Sequence, residues 1–180
     1  MNDTNENPSL ILAAEDCPSE DFDQFHYFSK QEQRFMSKLI AHGPVLLKGA
    51  RGSGKSALMI EASRKMYPMD TSSPVFGIYI SLRHLELLRS EGEKYEKMLC
   101  QLIIDAVNKS IGKVELEIVF EALPNITSLQ KELSNLSSSV KKRIVIFFDD
   151  AAYIGREAPL HEFFDIFRTL SSSTISCQQL

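Results

Sequence analysis

Val45-Leu46-Leu47-Lys48-Gly49-Ala50-Arg51-Gly52-Ser53-Gly54-Lys55-Ser56 is the stretch on which the fold turns. Gly43-Pro44 ahead of it stops a helix, and Val45 to Leu47 reads as a short buried strand. Gly49 to Ser56 then satisfies the spacing G-x-x-x-x-G-K-[ST] in full. Leu58, Ala62 and Met66 recur at every fourth residue, so a helix is expected from Lys55. A strand, a glycine-rich loop and a helix in this order make a cradle for a polyphosphate. Several negative charges must be wrapped by backbone N–H groups, and side chains would block their approach; hence Gly49, Gly52 and Gly54. The positive end of the helix faces the same charges. The expected contacts are Gly49, Ala50, Arg51, Gly52, Ser53, Gly54, Lys55, Ser56 and Ala57. The Lys55 ammonium would reach the β- and γ-phosphates, and the Ser56 hydroxyl would coordinate Mg2+, a hard cation that prefers oxygen. A glycine turn without a ligand is the competing explanation. The flanking strand and helix weigh against it.

A second segment, Arg143-Ile144-Val145-Ile146-Phe147-Phe148-Asp149-Asp150, is a strand apolar on both faces, as parallel strands covered by helices are. Its acids emerge at the carboxyl end, where ligands bind in open α/β sheets. Asp149 is expected to serve the Mg2+ shell, and Asp150 to orient or deprotonate an attacking water. The alternative for either is a turn cap, a common use of Asp.

Around these segments the chain alternates strand and helix, which predicts an α/β domain with a parallel sheet covered by helices. Ser29 with Glu32 has capping-box spacing, and a helix to about His42 would bury Phe35, Leu39 and Ile40. Val75 to Leu82 reads as a strand, and 94–110 as a helix with Met98, Leu102, Ile103 and Ala106 inward. Residues 114–123 and 126–139 read as two more helices, with the serines at 137–139 marking a loop. Glu162 to Leu170 reads as a helix and Thr174 to Cys177 as the start of a strand.

Composition sets the outer bounds. With 180 residues, 43% hydrophobic and 24% charged, the chain suits one globular domain rather than a disordered or fibrous one. No apolar run approaches the ~20 residues of a membrane helix, and Met1-Asn2-Asp3 opens no secretory signal, so a cytoplasmic protein is expected. Three widely spaced cysteines make neither a disulfide framework nor a zinc site. Residues 1–29 hold seven acids and no Lys or Arg, whereas the remainder carries 20 bases against 17 acids. This points to an acidic, disordered leader over 1–24, or a docking segment for a basic partner. The slight positive balance of the remainder does not support nucleic-acid binding.

The phosphate loop paired with Ile144–Asp150 resembles the AAA+/STAND branch of P-loop NTPases, most of all bacterial origin-recognition (initiator-type) ATPase domains. Phe25-His26-Tyr27-Phe28-Ser29-Lys30-Gln31-Glu32-Gln33-Arg34-Phe35 resembles the segment leading into those domains, which borders the adenine; Tyr27 and Phe28 are the matching positions, with packing under the first helix as their alternative. The resemblance covers about 25–177 and implies a three-layer P-loop NTPase core over 25–180, the cofactors ATP and Mg2+, and a homo-oligomer or larger protein complex. Asp-Asp in place of the family's more frequent Asp-Glu resembles the STAND variant. The family's polar sensor would fall at or just beyond the end of the chain, and its helical lid is expected to lie outside it. Arg156 and Arg168 could face a neighbour, although neither sits in a matching motif. Antiviral defence or a DNA-associated role follows only by analogy of fold. A small-molecule kinase and a nucleotide-gated scaffold with little turnover are the alternatives. A GTPase is disfavoured, because Asn108-Lys109-Ser110-Ile111 lacks the acid of the guanine motif.

Overall fold

The computed structural model describes residues 14–17, 21–39, 45–66, 73–83, 92–112, 118–150, 166, 168–170 and 176–179. A 3-10 turn at Ala14–Asp16 and a short helix α1 (Phe22–Phe25) precede α2 (Lys30–Leu39). β1 (Val45–Leu46), α3 (Lys55–Lys65), β2 (Val75–Ser81), α4 (Gly92–Gly112), α5 (Ile126–Val140), β3 (Arg143–Asp149) and β4 (Ser176–Gln179) follow. The strands form one sheet in the order β1-β4-β3-β2, and every pairing is parallel. The fold is therefore mixed α/β, a parallel sheet packed against helices.

Period-two alternation sorts the strand residues between two cores. Phe76, Ile78 and Ile80 of β2 and Ile144, Ile146 and Phe148 of β3 pack with α4 and α5. Val75, Val145 and Phe147 face the other way, with Met36 and Leu39 of α2 and Leu58, Met59, Ala62 and Met66 of α3. Helices thus cover both faces, which is why β3 needs no polar face.

Gly77 is where α3 meets the sheet. A Cβ there would stand 2.9 Å from Ser63 Cα and 3.0 Å from Met66 Cβ, and the Gly77 N–H donates to Met66 O at 2.8 Å. Backbone cannot yield as a flexible side chain can. Gly77→Val is expected to lower stability by about 1–3 kcal/mol, the usual cost of overpacking. Urea denaturation checks this; an unchanged midpoint would mean that α3 is not seated on β2 here.

Several sequence expectations are met and others are revised. The capping box forms: Ser29 N–H donates to Glu32 Oε2 at 2.7 Å, and Glu32 N–H to Ser29 Oγ at 3.3 Å. Those bonds hold the Glu32 carboxyl below its usual range, so their support for α2 is present at neutral pH and fades as acid protonates Glu32. The buried residues of α2 are Met36 and Leu39, whereas Phe35 is exposed, because the helix turns its 36/39 stripe to α3. Ile40 lies outside the described residues. On α4 the fully buried stripe is Tyr95, Leu99, Cys100, Ile103, Ile104, Val107 and Ile111. Met98, Leu102 and Ala106 flank it half-buried, so of the four expected inward residues only Ile103 is central.

Residues 118–123 are not helical, and 113–117 lie outside the described residues. The serines at 137–139 belong to α5. Ser138 and Ser139 donate back to Ser134 O and Asn135 O at 3.0 and 2.9 Å, which satisfies their hydroxyls within the helix. Lys141, left-handed at φ 54°, ends it. Of the helix expected over 162–170, residues 166 and 168–170 are helical; Thr174 lies outside the described residues.

The acid-rich opening contributes to the packed structure where composition pointed to a solvated leader. Phe22 is 1% exposed and stacks on His26 at 4.1 Å. Arg64 of α3 lies over the Phe22 ring at 5.0 Å and pairs with Asp23 at 3.1 Å. Composition registers the charges of this segment but not the burial of Phe22. Among the described residues, no helix is long and apolar enough to cross a membrane. Cys100 is buried in the α4 core, and burial followed by the Glu96 charge pushes its thiol up to about 12, which leaves it unreactive at neutral pH.

Candidate functional site

The loop after β1 has the shape its glycines predict. Gly52 and Gly54 are left-handed, at φ 79° and 80°, a region open to glycine and costly for other residues. At Gly49 a Cβ would meet Ser53 Oγ at 2.6 Å. Ser53 N–H donates to Ala50 O at 3.2 Å, drawing the loop into a tight turn. Residues 49–54 are exposed, Lys55 and Ser56 are half-buried, and Ala57 is buried at the foot of α3.

The N-terminus of α3 is open to a ligand. Gly54 caps it without a side chain, and a helical bond runs from Leu58 N–H to Gly54 O at 2.9 Å. The amides of 54–57 therefore have no partner inside the helix. Lys55 Nζ folds back on the loop, donating to Gly49 O at 3.1 Å and Ala50 O at 3.0 Å. Its charge stands among the very amides that would receive an anion.

Asp149 ends β3, fully buried at 2% exposure. Alternation puts it on the same sheet face as Val145 and Phe147, the face covered by α3. Because β1, β4 and β3 are parallel neighbours, the glycine loop after β1 and Asp149-Asp150 leave the same carboxyl end of the sheet. Both Asp149 oxygens are engaged: Tyr79 Oη donates to Oδ2 at 2.8 Å, and Asp150 N–H donates to Oδ1 at 2.7 Å. Asp150 is left-handed at φ 57°, a conformation Asp tolerates better than most residues. Arg83 Nε stands 3.4 Å from Asp150 Oδ2.

Two members of this cluster lay outside the sequence reading. Glu15 offers a carboxylate oxygen to the same group as Asp149 and Asp150, all within 4.8 Å of one another. It also lies 3.3 Å from Tyr79 Oη and 3.9 Å from Arg83 Nη2. Tyr79 sits on β2, and Ser81 of that strand is the register partner of Asp149. Its only sequence signal is parity: Val75, Gly77 and Tyr79 share one face of a strand. The hard oxygen donors of this cluster suit Mg2+, and Ser56 supplies a hydroxyl at the first turn of α3.

A cavity of about 510 Å3 opens beside β2 and between α3 and α4, lined by Arg64, Gly77, Asp105 and Lys109 among others and sharing Glu15 and Tyr79 with this cluster. None of Gly49–Ser56 lines it. The loop over residues 49–54 is an exposed surface rather than a hole. Of the two aromatic positions suggested for a base, Tyr27 is 92% exposed, while Phe28 packs on the α2/α3 core. Arg156, His42, His84 and His161 lie outside the described residues. The chain matches no protein-family model and no curated protein sequence.

Proposed function

We propose that the chain binds ATP with Mg2+ and hydrolyses it, as the nucleotide module of a larger assembly or signalling ATPase of the AAA+/STAND kind. The observation that carries this reading is the loop. Gly49–Ser56 joins a strand to the open N-terminus of α3 through two left-handed glycines, with Lys55 among its amides. Asp149 leaves the same carboxyl end of the sheet on the face that α3 covers. A three-layer P-loop NTPase core accounts for helices on both faces and for β4 between the loop strand and the acidic strand. Gln178 and Gln179 stand at the end of β4, where the resemblance implies a polar sensor.

In this reading the loop amides and Lys55 bind the phosphate chain, exchanging the Gly49 and Ala50 carbonyls for phosphate oxygens. Ser56 and Asp149 would hold Mg2+, which supplies charge neutralisation at the phosphates. Asp150 orients the water. Arg83 stands against Oδ2 of Asp150, and this contact favours a second reading, a nucleotide-gated scaffold with little turnover, in which Asp150 holds Arg83 instead of a water.

Full-chain ATP binding and ATPase rate separate the readings. If Asp150 acts on water, Asp150→Asn lowers kcat at least 100-fold, the usual scale of general-base loss, with ATP affinity retained. A wild-type chain that binds ATP without turnover selects the scaffold. A rate unchanged by the substitution removes Asp150 from the chemistry, and no ATP binding overturns both readings.

A further inference from the structure

We propose that Tyr79 is a positioning residue for Asp149: its hydroxyl, carried on the neighbouring strand, fixes the carboxylate and thereby sets the divalent-cation affinity of the site. The inference rests on the reading of Asp149 as a metal partner. A carboxylate at a strand end has rotational freedom about its side-chain bonds unless both oxygens are held. Here the two holds come from different parts of the fold. Asp150 N–H takes Oδ1 from the chain itself, and Tyr79 takes Oδ2 from β2, at 2.8 Å. Each oxygen keeps a second lone pair for a cation or its water.

Tyr79 is built for this task. It is half-buried on the α3 face of β2, and its register partner Phe147 is two residues ahead of Asp149 on β3, so ring and carboxylate share one face. A phenol hydroxyl, which ordinarily ionises only near pH ~10, is a donor at neutral pH. It carries one hydrogen, and two carboxylates compete for it. Asp149 at 2.8 Å has the better geometry, and Glu15 at 3.3 Å the worse. Hydrogen-bond partners behind a metal ligand commonly govern metal affinity by 10–100-fold.

Tyr79→Phe keeps the ring and removes only the hydroxyl. Binding of a fluorescent ATP analogue to the full chain, titrated with Mg2+, is the readout. The variant is expected to raise the Mg2+ half-saturation about 10-fold, with analogue affinity restored at saturating Mg2+. Adding Tyr79→Phe to Asp149→Asn is expected to raise it no further than Asp149→Asn alone. Without metal or nucleotide, the denaturation midpoints of the two single variants and the double variant are expected to be non-additive, as for a contacting pair. A stability loss with unchanged Mg2+ half-saturation would show a structural role only and overturn the proposal, as would additive midpoints. A wild-type chain that binds no Mg2+–ATP analogue overturns the nucleotide reading and this proposal together. Binding that is normal in the wild type and indifferent to Tyr79→Phe overturns this proposal alone.

Discussion

Lys55→Ala is expected to weaken ATP binding about 100-fold while leaving the fold intact. A hydrogen bond to a charged group contributes about 1.5–3 kcal/mol, and the ammonium would make more than one to the phosphate oxygens. Tenfold in affinity corresponds to about 1.4 kcal/mol, so a loss near 3 kcal/mol gives the expected factor. The cost to folding is small for a structural reason. Lys55 is half-buried, and its two partners are backbone carbonyls of an exposed loop, which water can satisfy when the ammonium is gone. Calorimetric titration of the full chain with Mg2+–ATP, beside a urea denaturation curve, checks both halves. Affinity that survives the substitution would remove the loop from nucleotide binding. Affinity lost together with the denaturation midpoint would mean that the lysine holds the fold.

Phe147→Ala is expected to remove about 3–5 kcal/mol of stability, the range for deleting a buried phenyl ring. Phe147 is 0% exposed, beneath α2 and α3, and β3 is hydrogen-bonded to β2 on one side and β4 on the other. Flanked in this way, the strand cannot slide to fill the cavity. Against a typical total of about 5–15 kcal/mol, that loss brings a domain of this size close to its unfolding threshold. Leu46→Ala is the comparison, since Leu46 is 53% exposed and its truncation removes little buried surface. Equilibrium urea denaturation of both variants is the check. A Phe147→Ala loss no larger than that of Leu46→Ala would contradict the placement of β3 at the centre of the sheet.

How much was legible differs between the two halves of the site. Gly49–Ser56 is local: strand, loop and helix follow one another in sequence, and the glycines, Lys55 and Ser56 are recognisable by spacing alone. The capping box at Ser29 and Glu32 was legible for the same reason, because its partners lie three residues apart. The serines at 137–139 misled because composition favours a loop, whereas Ser138 and Ser139 bond back along α5 and Ser137 donates forward to Lys142 O. On α4 the apolar residues between Tyr95 and Ile111 spread beyond one stripe, so the pattern could not choose the buried one. The packing of α5 and the sheet chose it.

The sequence by itself determined the parallel α/β character, the left-handed glycine turn between β1 and α3 and the carboxyl-end position of Asp149, all consequences of residue type and short-range spacing. Only the tertiary structure decided what surrounds Asp149. Tyr79 and Glu15 reach it across 70 and 134 residues of chain through the β2–β3 pairing and the seating of Phe22 and Glu15 by α3 and β2. Strand neighbours are chosen by how helices fill both faces of the sheet. That is a property of the whole packed core, and no local pattern in the chain encodes it.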